Sequence, residues 1–382
     1  MDDLLKWRDE FPILDKTVYL INNSLGAMPR SVVKNLNTYT DIWSTRGIRA
    51  WHEGWWEFIA DIGNILGDII NAPSDTVSMH QNVTIAEAIA LSCFEFKKNK
   101  NKIVYSDMNF PSIRYLYQSR IADGAIIEVV HSDDGIAVPI EKMLEAIDEH
   151  TILVPISHVL FKSAYIQDVE TIIEKAHEND AYVILDTYQS VGTVPVDVQK
   201  LNVDFVTGGS IKWLCGGPGA AYLYARPDLA ETLQPKITGW MAHEDPFAFE
   251  PEMRYSDKAN FRFLNGSPHL PALYAVKAGY EIIREIGVER IRERSVEMTE
   301  HIIKRADEQG LTLNSPRDSR QRGGTVVLEM ENSKKISEEL LERDFLIDWR
   351  PEAGIRISPH FYNTFDEIDA IMEEIRKLRT IS

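Results

Sequence analysis

Residues 182–219 read YVILDTYQSVGTVPVDVQKLNVDFVTGGSIKWLCGGPG, and the fold is decided in this stretch. Two apolar, partly β-branched runs, 182–185 and 204–207, have the length and composition of buried strands. The first ends in a carboxylate, Asp186. The second runs into Gly-Gly-Ser-Ile-Lys, which places Lys212 just past its C-terminal end, 26 residues beyond Asp186. Gly216, Gly217 and Gly219 follow, where a chain without Cβ atoms can pass close to a neighbour.

In an open α/β sheet, ligands bind outside the carboxyl ends of the strands, so Asp186 and Lys212 are expected in one crevice. Alone, a lysine in a glycine-rich turn reads as a solvated charge. A lone aspartate at a strand end reads as a turn residue or a cap. As a pair they suit pyridoxal 5′-phosphate, which takes a lysine as Schiff-base partner and an acid opposite its ring nitrogen. The acid keeps the pyridine protonated, so the ring can take up electrons from a substrate carbanion.

Outward from this stretch, residues 102–179 alternate strand-like and helix-like segments, which predicts a mainly parallel sheet with right-handed crossovers. Thr84-x-x-Glu87 before an apolar run reads as a capping box. The same helix start, with free N–H groups and a positive dipole end, equally suits a phosphate. His158, at a strand end, is open between a pocket residue and a hydrogen-bonded structural histidine. The aromatic segment 39–58, with Trp43, Trp51, His52, Trp55 and Trp56, reads as core or subunit-interface packing, with Trp51 and His52 as alternative pocket residues. Residues 271 to about 309 are strongly helical. Beyond them come a strand in TVVLEM, a helix from Ser337, a strand in GIRISP and a final helix. The expected organisation is an N-terminal segment (1–70) packing on both of two domains. These are a large cofactor-binding domain (71–270) and a smaller C-terminal α/β domain (271–382).

A chain of 382 residues exceeds one small core. Its net charge of −18 argues against nucleic acid or an anionic membrane as partner. No apolar run reaches the roughly 18 residues of a membrane span, and MDDLLKWRDE lacks a signal-peptide apolar region. Two cysteines, Cys93 and Cys215, are too few for a disulfide framework, so a cytoplasmic location is expected. The ten histidines show no ligand spacing, and P-loop, G-x-G-x-x-G and H-E-x-x-H motifs are absent, so no metal site is expected.

The central stretch resembles the cofactor-binding core of the class V aminotransferase group, which includes kynureninases and cysteine desulfurases. From about Tyr19 to Ile375 the chain is most similar to kynureninases. VYLINNSLGAMPRSV (18–32) resembles their N-terminal turn, Phe-Pro-Ser at 110–112 their stacking-aromatic motif, Gly239-Trp240 their Gly-Trp, and Gly266-Ser267 their second phosphate-contacting turn. The resemblance implies a fold type I pyridoxal-phosphate-dependent transferase, an α/β fold with a mainly parallel sheet. It also implies a homodimer with shared active sites and a small amino-acid substrate. It implies that Lys212 forms the Schiff base and moves the α-proton, that Asp186 partners the ring nitrogen, and that Phe110 stacks on the ring. Val83, Thr84, Ser112, Gln189, Ser210, Trp240, Gly266 and Ser267 are implied as further cofactor contacts. Ser24 and Arg356 are implied as substrate contacts, Arg356 clamping a carboxylate with its planar fork.

Three positions depart from kynureninases. Ile211 stands where they place a tyrosine implicated in proton transfer, Ile113 replaces an aspartate, and Gln189 replaces a histidine. Isoleucine neither donates nor relays a proton. Gln189 is desulfurase-like, but desulfurases carry a histidine before the lysine and a catalytic cysteine on a late loop. No cysteine follows Cys215, which disfavours a persulfide-forming desulfurase. The leading expectation is a kynureninase-like hydrolase or lyase acting at the β or γ carbon of an amino acid. The alternatives are a class V aminotransferase moving an amino group to a 2-oxo acid, then a C–S lyase. A non-enzymatic protein on the same fold is disfavoured by intact Thr84, Asp186 and Lys212.

Overall fold

The computed structural model describes residues 3–381. Strand β1 (Val18–Tyr19) comes first. Seven strands then build the principal sheet: β2 (Val77–His80), β3 (Lys102–Ser106), β4 (Ile126–Val130), β5 (Thr151–Ser157), β6 (Tyr182–Asp186), β7 (Phe205–Gly209) and β8 (Ala221–Ala225). The C-terminal part adds β9 (Thr312–Leu313), β10 (Val326–Glu329), β11 (Phe345–Leu346), β12 (Asp348–Arg350) and β13 (Gly354–Ile357).

The principal sheet has the spatial order β2-β8-β7-β6-β5-β3-β4. All neighbours are parallel except β8, which runs antiparallel to both β7 and β2. The sequence of β5, β7 and β8 is apolar because these strands are buried along their whole length, as strands covered on both faces must be. β3 lies between β4 and β5, so the chain reverses its direction of travel across the sheet after β4. That reversal opens a crevice at the carboxyl ends of the strands. The register makes Ser157, Asp186 and Thr207 level neighbours on β5, β6 and β7.

The helices Ser31–Arg46, Trp55–Ile69 and Leu270–Ile286 pack together. In the second sheet, ordered β12-β13-β10-β9 and wholly antiparallel, Asp348 sits opposite Arg356 and Arg350 opposite Gly354. β1 pairs with β11, and Ile21 bridges to Ser358, which ties the N-terminal turn to this sheet.

The structure corrects several local expectations. The helix Val83–Leu91 is capped by Asn82, whose side chain accepts from the Ile85 amide, and not by a Thr84–Glu87 box. Glu87 turns inward instead, fully buried and accepting from Thr207 Oγ1 at 3.0 Å. The helix expected from Ser337 begins at Ser333, after Asn332 in a left-handed conformation (φ 59°). Strands β9, β11 and β12 escape a sequence reading because runs of two or three residues carry no periodicity. Both cysteines are free, and among the described residues no helix is long and apolar enough to cross a membrane.

Candidate active site

A cavity of about 400 Å³ opens at the carboxyl ends of β5, β6 and β7. Asp186, the last residue of β6, and Lys212, in the loop after β7, both line it. Asp186 is held from two sides: Tyr188 N donates to Oδ1 at 2.9 Å and Ser157 Oγ donates to Oδ2 at 3.1 Å. Burial raises its carboxyl above the ordinary range, while the Tyr188 amide, the Lys212 charge and the Ser157 hydroxyl oppose the rise.

The Lys212 Nζ lies 4.5 Å from the centre of the Tyr188 ring and 5.7 Å from that of Phe110. Among the described residues it has no hydrogen-bond acceptor or ion-pair partner. Burial pushes the amine down to about 7; the Asp186 carboxylate acts against this and the Arg356 guanidinium with it. Such an amine is substantially neutral, hence nucleophilic, near neutral pH. The loop is fixed from outside, since the Gly26 amide donates to the Ile211 carbonyl at 2.7 Å.

Asn82, Val83 and Thr84 bring the start of the Val83–Leu91 helix to the cavity wall. The Val83 and Thr84 amides have no acceptor among the described residues, so they offer unpaired donors at a positive dipole end. A buried carboxylate, an unpaired amine, two aromatic rings beside it and a phosphate-type helix end form a donor set that fits pyridoxal phosphate.

The structure brings Ser24, Val83, Thr84, Phe110, Ser112, Asp186, Gln189, Lys212 and Arg356 to one cavity, together with Ile113 and Ile211. Gln189 is firmly oriented: Trp213 Nε1 donates to its Oε1 at 3.0 Å and its Nε2 donates to the Asn23 carbonyl at 3.0 Å. Other sequence candidates do not line this cavity. Ser210 is buried with its hydroxyl 2.6 Å from that of Tyr280. Trp240 packs against Trp56 and Phe247 at the surface, and Gly266 and Ser267 are exposed. Trp51 and His52 are also absent from the lining. His158 turns away from it; its Nδ1 is buried without a partner, and burial and Arg292 push the ring down to about 4.

Tyr188, Asn23, Asn82, Ser157, Phe161 and Arg350 line the cavity without having been singled out from the sequence. Tyr188 was legible as the neighbour of Gln189 in Asp-x-Tyr-Gln. Arg350 was not, because only the β12–β13 hairpin brings it beside Arg356.

Comparison with known proteins gives one family. A family model described as aminotransferase class-V matches residues 18–371. The chain is similar to an uncharacterized aminotransferase, YcbU, of Bacillus subtilis (strain 168), at 30% identity over 373 residues, covering 97% of this chain and 96% of that one. It is similar to a kynureninase of Bacillus anthracis at 29% identity over 385 residues, covering 96% and 89%. Among solved structures, an apo cysteine desulfurase from Thermococcus onnurineus NA1 superposes with a TM-score of 0.85 at 21% identity, covering 98% of this chain and 97% of that one. A complex of the cystine C–S lyase C-DES with its product cysteine persulfide gives 0.87 at 18% identity, covering 96% and 99%. These structural likenesses show the fold, that of fold type I pyridoxal-phosphate enzymes.

Proposed function

This chain belongs to the class V aminotransferase family, whose cofactor is pyridoxal 5′-phosphate, and on that premise we propose that it transfers the amino group of an amino acid to a 2-oxo acid. One observation carries the reading. Ile113 and Ile211 both line the cavity that holds Lys212, and neither can hold a proton. Lys212 is then the group that moves the proton at Cα, which is the acid–base work transamination requires.

Bound pyridoxal phosphate supplies an aldehyde that joins the substrate amine and a ring that takes up the electrons of a broken bond at Cα. The chain's own residues do the rest. Asp186, held by Ser157 and Tyr188, is the acid that would hold a proton on the ring nitrogen. The Val83 and Thr84 amides would hold the phosphate, and Phe110 and Tyr188 would pack against the ring. Lys212, its pKa pushed down to about 7 so that a large share is neutral near that pH, would accept a proton and return it. The apolar side chains around it exclude water from the reacting carbon.

A kynureninase-like hydrolase is the second reading, favoured by one side chain. The Tyr188 ring lines the cavity, 4.5 Å from its centre to Lys212 Nζ, and burial holds its phenol protonated, up to about 12. That phenol is a candidate to replace the tyrosine lost at Ile211. Product analysis by mass spectrometry separates the readings. Holoenzyme receives L-kynurenine, 3-hydroxykynurenine and a panel of amino acids, each with and without a 2-oxo acid. Products that require the oxo acid support transamination. Alanine and an anthranilate released without it would overturn transamination and establish the hydrolase.

A further inference from the structure

Beneath the carboxylate of Asp186 lies a second acid, which the proposed amino transfer does not use. Glu87 projects from the Val83–Leu91 helix, the helix whose start faces the cavity, and none of its surface is exposed. Its Oε1 accepts from Thr207 Oγ1 at 3.0 Å. Thr207 is the register partner of Asp186 on the adjacent strand, about 4.8 Å across the sheet. Register partners point to the same face, so Glu87, Thr207 and Asp186 share one buried layer.

The two acids have different surroundings. Asp186 has two donors aimed at it, the Tyr188 amide and the Ser157 hydroxyl, and Lys212 as a cation in the same cavity. No cation forms an ion pair with Glu87 among the described residues. Its Oε2 is buried without a formed hydrogen bond, as is the hydroxyl of Tyr117, which faces it from the Pro111–Gln118 helix. The flanking strands β2 and β8 add the buried His80 and Tyr222, which are bonded to Ser78 and Thr187 instead. A buried carboxyl without a cation avoids its charge by keeping its proton, and Oε2 opposite a phenol oxygen has an acceptor for that proton. Burial and the Asp186 charge push the carboxyl up to about 8. Of the two acids, Asp186 carries the charge and Glu87 the proton.

We infer that Glu87 is a positioning residue for the cofactor, holding a proton beneath Asp186 and releasing it as a cationic ring nitrogen seats against that carboxylate. The inference rests on the reading of Asp186 as the acid for the ring nitrogen. A positive ring cancels, at Glu87, the Asp186 charge that helps keep the proton in place. When the ring arrives neutral, the Glu87 O–H bond breaks and a ring N–H bond forms, so the summed charge of the two acids and the ring does not change. The coupling is reciprocal: an ionised Glu87 adds a second carboxylate that favours the protonated, electron-accepting ring.

The test counts protons. Full-length apoprotein is titrated in a calorimeter with pyridoxine 5′-phosphate, which has the ring nitrogen and the phosphate but no aldehyde for Lys212. Titrations near pH 8, the Glu87 value, in two buffers of different ionisation enthalpy give the protons drawn from the buffer. Glu87→Gln, which cannot ionise, is expected to draw at least about 0.3 proton more per molecule bound than the parent. The affinity of the parent relative to Glu87→Gln should rise at least about threefold between about pH 6 and about pH 9. With the 1-deaza analogue, which lacks the ring nitrogen, both differences should vanish. A second readout needs no variant: infrared difference spectra of the parent should show a protonated-carboxyl band lost on binding. Equal proton counts in the parent and Glu87→Gln, or no loss of that band, would overturn the inference and leave the Asp186 reading standing. Differences that persist with the 1-deaza analogue, or no binding of pyridoxine 5′-phosphate at all, would overturn both.

Discussion

The Gly26 amide and the Ile211 carbonyl are 2.7 Å apart, so the N-terminal turn rests on the peptide that carries Lys212. A Cβ on Gly26 would meet the Lys212 carbonyl oxygen at 2.1 Å and the Cys215 Cα at 3.0 Å. Both are backbone atoms that cannot swing aside. Gly26→Ala is therefore expected to displace the lysine loop, costing about 1–3 kcal/mol of stability. Urea melts should show the loss, and dialysis should strip cofactor from the variant faster than from the parent.

Lys212 makes a pH prediction with a definite sign. Its folded-state value, about 7, lies below the ordinary 10.5. Between these values the unfolded chain binds a proton that the folded one does not, so stability rises with pH across that window. In the cofactor-free protein, Lys212→Met should stabilise most at or below pH 7, and the gain should shrink toward pH 10.5. Uptake of pyridoxal phosphate by the parent apoprotein, followed by absorbance, should accelerate through about pH 7.

Asp186→Asn removes the carboxylate that holds the Lys212 amine up. The midpoint of cofactor uptake should then fall below about 7. Asp186→Asn also removes the acid that would keep the cofactor ring protonated, so kcat/KM is expected to fall by about 10²-fold or more, about 3 kcal/mol of barrier. A variant with unchanged midpoint and unchanged kcat/KM would show that the two side chains do not act as a pair.

Glu87 behaves oppositely to Lys212. Burial and the Asp186 charge push its carboxyl up to about 8 from the usual 4.5, with Thr207 opposing. The folded chain holds a proton that the unfolded one has lost between those values, so this group lowers stability progressively from pH 4.5 to 8. Glu87→Gln keeps an oxygen for the Thr207 hydroxyl and removes the titration. Its advantage over the parent in urea melts should be small at pH 5, on the order of a few kcal/mol at pH 8.5, and constant above that.

Trp240, Gly266 and Ser267 lie outside the cavity of their own chain, and we propose, from the family resemblance, that they serve a neighbouring subunit's site. Sedimentation should then show a species of twice 43.6 kDa. Mixing inactive Lys212→Ala with an inactive Gly266→Trp variant should restore part of the activity through hybrid dimers. A fully active monomer would end the proposal.

The sequence by itself determined the parallel sheet, the Asp186–Lys212 pairing and the helix end at Val83 and Thr84. Each is written locally, in a run of apolar residues, a strand-end carboxylate, a glycine-rich turn or a polar residue before a helix. It also exposed Ile113 and Ile211 as the positions where proton-carrying side chains are missing. Only the tertiary structure decided where side chains with two local options went. Glu87 has the spacing of a capping box, yet the rotation of its helix against β7 aims it at Thr207, and Asn82 takes the cap. Ser24, Asp348 and Arg356 come from segments more than 300 residues apart in the chain, and the register of β12 against β13 sets Asp348 opposite Arg356. Spacing along a chain records periodicity, whereas register and helix rotation are set by packing between elements, so the lysine and its acid were legible and the partner of Arg356 was not.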